Sequence, residues 1–162
     1  MNVGFLHPGL MGETLAANCS AATLWVSAGR SNETRSRAES HGMAEVASLA
    51  ELATTADAIV SICPPNAAVE LATQVAATGF CGLYVDANAI SSSTARQIGE
   101  MFDDFVDGSL IGPPAHNPGT TRMYLSGLRA SEVAGWYHDN ALDARVIGTD
   151  PGAASALKMA YA

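Results

Sequence analysis

Lysine is almost missing from this sequence: Lys158 is the only one in 162 residues, and with seven arginines it makes eight basic residues against sixteen acids, a formal net charge of −8. The basic residues form no run, which argues against a nucleic-acid surface or an anionic membrane as partner. Cysteine is scarce as well. Cys19, Cys63 and Cys81 are an odd number without metal-ligand spacing and lie in apolar surroundings. Buried thiols in a reducing compartment are expected, with no disulfide and no metal. No apolar stretch is long enough to cross a bilayer. The amino terminus passes straight into the apolar segment 3–6, with no basic region before it and no cleavage signal after it, so the cytoplasm is the expected location. Repeats, low-complexity tracts and linkers are absent too, and one domain with one good core is the default.

What is present is alternation. Apolar runs rich in Val, Ile, Leu and Phe predict strands at 3–7, 23–28, 58–63, 82–86, 105–110, 122–126 and 145–148. Ala-rich segments of helical spacing predict helices at 10–22, 32–41, 49–55, 65–77, 92–102, 131–139 and 151–162. Ser48 with Glu51 fits a capping box, Asp150 before Pro151 fits an N-cap and first helical position, and Pro64 with Pro65 suits a helix start. The order predicts an α/β fold, a doubly wound and mainly parallel sheet with helices on both faces. Residues 1–150 form that domain. Residues 151–162 begin a helix with good start signals and no stop, so the natural chain is expected to continue into a further part.

Between the first strand and first helix stand His7, Pro8, Gly9, Leu10, Met11 and Gly12, where a Rossmann-type fold carries G-x-G-x-x-G. Gly9 lets backbone approach a pyrophosphate, Gly12 lets the helix pack tightly on the strand, and the helix N-terminus offers free N–H groups. His7 replaces the first glycine. Either its imidazole lies beside the cofactor phosphates, or it is a strand-end residue hydrogen-bonded to backbone.

The end of the second strand chooses the nucleotide. An acid there binds the ribose hydroxyls of NAD, and an arginine accommodates the extra phosphate of NADP. Here Gly29, Arg30, Ser31, Asn32, Glu33, Thr34 and Arg35 follow the strand, with Glu33 as the one dissenting residue. Arg30 can fork onto a phosphate, Ser31 adds a hydroxyl and Arg35 adds charge, so NADP is expected rather than NAD. The backbone of Cys63 and Pro64 is expected on the adenosine side. Asn88 either touches the nicotinamide ribose or amide, or ends its strand and caps the helix near Ser91. Asp86 and Asp107 are expected to satisfy loop N–H groups. His116, in the loop 113–119, is placed to meet substrate or is simply solvated.

These residues resemble the β-hydroxyacid dehydrogenases, related to 6-phosphogluconate dehydrogenase and the imine reductases, over nearly the whole chain. The stretch from Val3 to Gly12 looks like their opening fingerprint, and Gly29, Arg30, Ser31 is similar to their Asn-Arg-Thr. Val85 to Asn88 falls at their Asp-x-Ser-Thr, Phe105 to Gly112 resembles the stretch ending in Ser-Gly-Gly, and Gly119 to Gly127 resembles the strand that follows. Gly152 with Lys158 matches their Gly-x5-Lys helix. The His-Pro-Gly opening, Cys63-Pro64-Pro65, Ile111-Gly112-Pro113-Pro114 and the closing run from Ala156 look like a less characterised bacterial subgroup whose members carry a separate helical C-terminal domain. The resemblance implies a nicotinamide-dependent dehydrogenase or reductase, a homodimer when complete, acting on a small hydroxy acid, ketone or imine. It implies Lys158 as the acid/base and places Ile111, Gly112 and Pro113 toward substrate. Ile111 stands where the family has serine, Pro113 replaces a glycine and Ala162 occupies the place of an asparagine, so the resemblance leaves carboxylate recognition unassigned.

Hydride transfer to a carbonyl needs a group that moves a proton at its oxygen. A lysine with an apolar environment can do this if its pKa falls toward neutrality, and Ala156, Leu157, Met159 and Ala160 surround Lys158. A lysine snorkelling from a helix surface is the plainer reading of the residue alone. Two rivals remain: an NADP-binding module without chemistry, and a methyltransferase, which wants an acid where Arg30 stands.

Overall fold

The computed structural model describes residues 1–161; Ala162, with the asparagine comparison made for it, lies outside the described residues. Among the described residues eight strands form one sheet: β1 Asn2–Phe5, β2 Ala22–Val26, β3 Ala44–Val46, β4 Ala58–Ser61, β5 Leu83–Asp86, β6 Phe105–Ile111, β7 Thr121–Ser126 and β8 Leu142–Gly148. Their spatial order is β3-β2-β1-β4-β5-β6-β7-β8. The first six are parallel, β7 runs antiparallel to β6, and β8 runs parallel to β7. The helices are α1 Leu10–Ala17, α2 Asn32–Ser40, α3 Leu49–Thr55, α4 Ala68–Ala77, α5 Ser92–Gly99, α6 Ala130–Gly135 and α7 Ala153–Tyr161. This is the expected α/β, Rossmann-like architecture. The chain turns outward from β1 through β2 to β3, then returns to lay β4 on the other side of β1, which opens a crevice at their carboxyl ends.

Strands covered on both faces read as unbroken apolar runs, and all four residues of β4 and of β5 are buried. One core lies between the sheet and α1, α2 and α6, with Leu15, Ala38 and Val133 packed among Val3, Phe5, Val60 and Val85. The other lies under α3, α4 and α5, with Leu52, Val75 and Ile98 packed among Leu24, Ile59 and Tyr84. No helix among the described residues is long and apolar enough to cross a membrane.

Five expectations are corrected. β3 was not expected; its three residues are too few to show a period of two, and it exists because Leu24, Trp25 and Val26 of β2 pair with it. α1 ends at Ala17, not at residue 22. β8 begins at Leu142, three residues before its expected start. Asp150 and Pro151 do not start α7: the Asp150 carboxylate takes Arg96 (2.9 Å), and the helix is capped from the sheet, Ser126 Oγ accepting from Ala154 N–H (3.0 Å) and Asp107 from Ser155 N–H (2.8 Å). The thiols are not all buried, since Cys19 and Cys63 are half-buried and Cys81 is exposed in the turn before β5, donating to the Gly79 carbonyl. Ser48 does cap α3, accepting from Glu51 N–H, while the Glu51 carboxylate accepts from Ala47 N–H (2.7 Å).

Candidate cofactor site

β1 stops at Phe5, so His7 and Pro8 belong to the turn that leads into α1. Gly9 is the extended residue before the helix, with its N–H on the His7 carbonyl (2.8 Å), and Glu13 N–H returns to the Gly9 carbonyl (2.8 Å). The two glycines do different work. A methyl on Gly12 would strike the His7 carbonyl and Ile62, so helix and turn approach as closely as only glycine permits; a methyl on Gly9 would meet open space. Above that opening lies a cleft of about 290 Å³ lined by His7, Gly9, Met11, Gly12, Ile62, Cys63 and Pro64. Of the two other residues of this stretch, Pro8 is buried and Leu10 is exposed. Glu13, buried in the first turn, faces the Arg37 guanidinium at 3.2 Å, which offsets a carboxylate beside a site for anions.

At the end of β2 the chain turns through Gly29, in the left-handed region with φ 70°, and presents Arg30. Arg30 Nη2 lies 3.5 Å from Nε2 of His7, which lines the cleft. Ser31 caps α2, accepting from Thr34 N–H (3.2 Å). Arg35 is turned away: it pairs with Glu45 and lies over the Trp25 ring, 5.8 Å from its centre. The seven arginines divide sharply on this point. Arg35, Arg37, Arg96, Arg122, Arg129 and Arg145 each face a carboxylate, and among the described residues Arg30 alone faces none. Burial, with Arg30 beside it, lowers the pKa of His7 to about 4, so the imidazole is neutral at ordinary pH.

Asn88 lies just past the end of β5 but does not cap α5. Its side chain points inward: Nδ2 donates to Ser61 Oγ (3.1 Å) and Asp86 Oδ2 (2.8 Å), and Oδ1 accepts from Cys63 N–H (2.6 Å). It braces the turn after β4, and Ser91 caps α5. Asp86 accepts from Asn88 N–H (2.9 Å), and burial raises its pKa to about 7. Asp107 receives Ser155 N–H and Oγ–H (2.6 Å) and the Ser126 hydroxyl, and burial raises its pKa as well. Asp86 satisfies a loop N–H, as expected, whereas Asp107 receives an N–H from the first turn of α7.

Lys158 is half-buried on α7, and its ammonium donates to the Leu110 carbonyl at the end of β6. That contact brings it beside Ile111 and Gly112. Gly112 has φ 127°, and its missing side chain makes room for the Thr120 carbonyl. The loop beyond is tied to α1 by two residues that sequence reading passed over: Thr14 Oγ1 accepts from Ala115 N–H (3.1 Å) and Asn18 Nδ2 donates to the Ala115 carbonyl (3.0 Å). Their signal was two polar residues four apart on the buried side of a helix. Pro113 accepts from the Thr121 hydroxyl, and His116 is exposed, its ring without a hydrogen bond among the described residues. A larger hollow of about 550 Å³, lined by Phe102, Phe105, Leu128 and Arg129, opens at the opposite end of the sheet, away from these groups.

The residues fit a dinucleotide. Open space over Gly9, a helix N-terminus and an arginine without a counter-charge are what a pyrophosphate and a further phosphate require.

Neither a protein-family model nor a curated protein sequence matches the chain. Solved structures do. A conserved protein of unknown function, itself described as structurally similar to 3-hydroxyacid dehydrogenases, shares 29% identity at TM-score 0.85, over 99% of this chain and 63% of that one. The 3-hydroxyisobutyrate dehydrogenase of Mycobacterium tuberculosis, with L-serine, shares 20% identity at TM-score 0.76, over 99% and 58%. A reductive aminase from Aspergillus terreus, in complex with NADPH4, cyclohexanone and allyl amine, shares 17% identity at TM-score 0.81, over 99% and 59%. The chain thus spans about three-fifths of the length of these proteins. Its fold is thus shared with part of a protein described as similar to 3-hydroxyacid dehydrogenases, of a 3-hydroxyisobutyrate dehydrogenase and of a reductive aminase.

Proposed function

We propose that this chain is the NADP-binding part of an oxidoreductase, residues 1–150 holding the cofactor and Lys158, on the helix that follows, moving the proton. The observation that carries the reading is Arg30: in a chain with twice as many acids as bases, it is the one arginine without a carboxylate partner among the described residues, at the strand end where the adenosine ribose of a Rossmann domain lies. A guanidinium left uncompensated there suits the 2′-phosphate of NADP. The α1 N-terminus and Gly9 receive the pyrophosphate, and the backbone at Cys63 and Pro64 lines the other wall. The cofactor, when bound, exchanges a hydride with substrate. Lys158 gives or takes the proton at the substrate heteroatom, with the Leu110 carbonyl as its resting partner. The substrate is a small hydroxy acid, ketone or imine; a dehydrogenase and a reductive aminase among the structural neighbours support that range. The complete protein is a cytoplasmic homodimer.

Fluorescence titration tests the cofactor half. NADPH binds more tightly than NADH, and Arg30→Ala removes most of the difference, about tenfold or more for a lost charge-assisted contact; equal affinities in the parent protein refute the assignment. For the chemistry, Lys158→Ala in the full-length protein abolishes turnover and leaves the NADPH dissociation constant within about twofold. Retained turnover removes Lys158 from the mechanism. Unchanged NADPH binding with no turnover in the parent protein points instead to a binding module without chemistry.

A further inference from the structure

We propose that His7 is a specificity-determining residue, a neutral hydrogen-bond acceptor that orients Arg30 toward the 2′-phosphate without neutralising it; the inference rests on the NADP reading above. Three observations carry it. His7 Nε2 stands 3.5 Å from Arg30 Nη2, the side-chain contact that the structure gives Arg30. The six other arginines are held by carboxylates. And His7 occupies the place where a dinucleotide fingerprint has glycine, in the turn after β1, and meets Arg30 in the turn after β2, strands that lie next to each other in the sheet.

The chemistry explains why a histidine serves here. A guanidinium has only donors, so the His7 nitrogen that meets it must be an unprotonated acceptor, with the ring proton on Nδ1. An aspartate at this position would hold Arg30 more firmly, but its charge would cancel the attraction for phosphate and repel the ligand directly. Glycine would leave the long side chain free to wander, and the entropy of ordering it would then fall on the binding step. A neutral imidazole supplies direction and leaves the positive charge intact. Burial and the nearby guanidinium both keep that imidazole unprotonated, with a pKa of about 4.

The test uses the chain as it is, titrated with NADPH and NADH at pH 7.5, in the parent, His7→Ala, His7→Gln, Arg30→Ala and the Arg30→Ala/His7→Ala double variant. Thermal denaturation first checks that each is folded. The parent prefers NADPH. His7→Ala loses about tenfold of that preference through weaker NADPH binding, with NADH affinity within twofold of the parent. His7→Gln, which keeps a neutral acceptor, recovers most of it. In the Arg30→Ala background His7→Ala changes the preference no further. A parent without preference overturns the NADP reading and this inference with it. A parent preference that His7→Ala leaves unchanged overturns this inference alone, and so does an equal loss for both cofactors, which makes His7 a residue of turn shape.

Discussion

Asp86 is buried at the carboxyl end of β5, and burial holds its carboxyl protonated to about pH 7; Asn88 works against that shift, and Asp107, the register partner on β6, adds to it. An unfolded aspartate releases its proton near pH 4. Between these values the folded chain keeps a proton that the unfolded chain has lost, so this residue's contribution to stability falls as pH rises from about 4 to about 7. His7 acts in the opposite sense. Its folded pKa of about 4 lies below that of free histidine, and its contribution is lost as pH falls from about 6.5 to about 4. The two slopes oppose each other in the parent protein. Asp86→Asn removes one, so the melting temperature of the variant gains on the parent as pH is raised from 4.5 to 7.5; a difference that stays constant across that range contradicts the assignment.

At the scale of the element, α7 depends on acceptors that lie far from it in sequence. Its first N–H groups meet Ser126 and Asp107, and the Ser155 hydroxyl lies 2.6 Å from Asp107. Ser155→Ala keeps a good helix former but leaves a buried carboxylate oxygen short of a donor, at a cost of about 1–3 kcal/mol. Denaturant unfolding checks this, and an unchanged midpoint counts against it. The same dependence shows what a sequence can and cannot say. The central strands were legible because double coverage makes them unbroken apolar runs, and Gly9, Gly12 and Arg30 were legible because a fixed fold gives their positions meaning. The α7 cap was not, since Asp150 and Pro151 offer a local signal and the acceptors actually used lie 28 and 48 residues away. Arg35 was read as a cofactor contact because Glu45 sits on a three-residue strand too short to recognise. The bracing role of Asn88 is not legible because nothing local reveals that Ser61 and Cys63 claim its amide.

For the whole molecule, the sheet order sets a gradient of protection. β4 and β5 are buried along their full length between paired neighbours, whereas β3 is a three-residue edge with two exposed positions. Amide hydrogen exchange is slowest in β4 and β5 and fastest, among the strands, in β3; equal protection across the sheet contradicts this arrangement. The reversal of β7 and β8 returns the chain to the far end of β6, so that α7 runs alongside that strand in the same direction, tied to it at Asp107 and again at Leu110. Both ties join residues 48 apart. Three residues of strand climb about 10 Å, whereas three residues of helix climb only about 4.5 Å. The two elements therefore drift out of step by about 5 Å between their two ties, and the four-carbon stem of Lys158 makes up the deficit. A shorter donor at that position falls short of the carbonyl, and of the basic side chains only arginine shares the span.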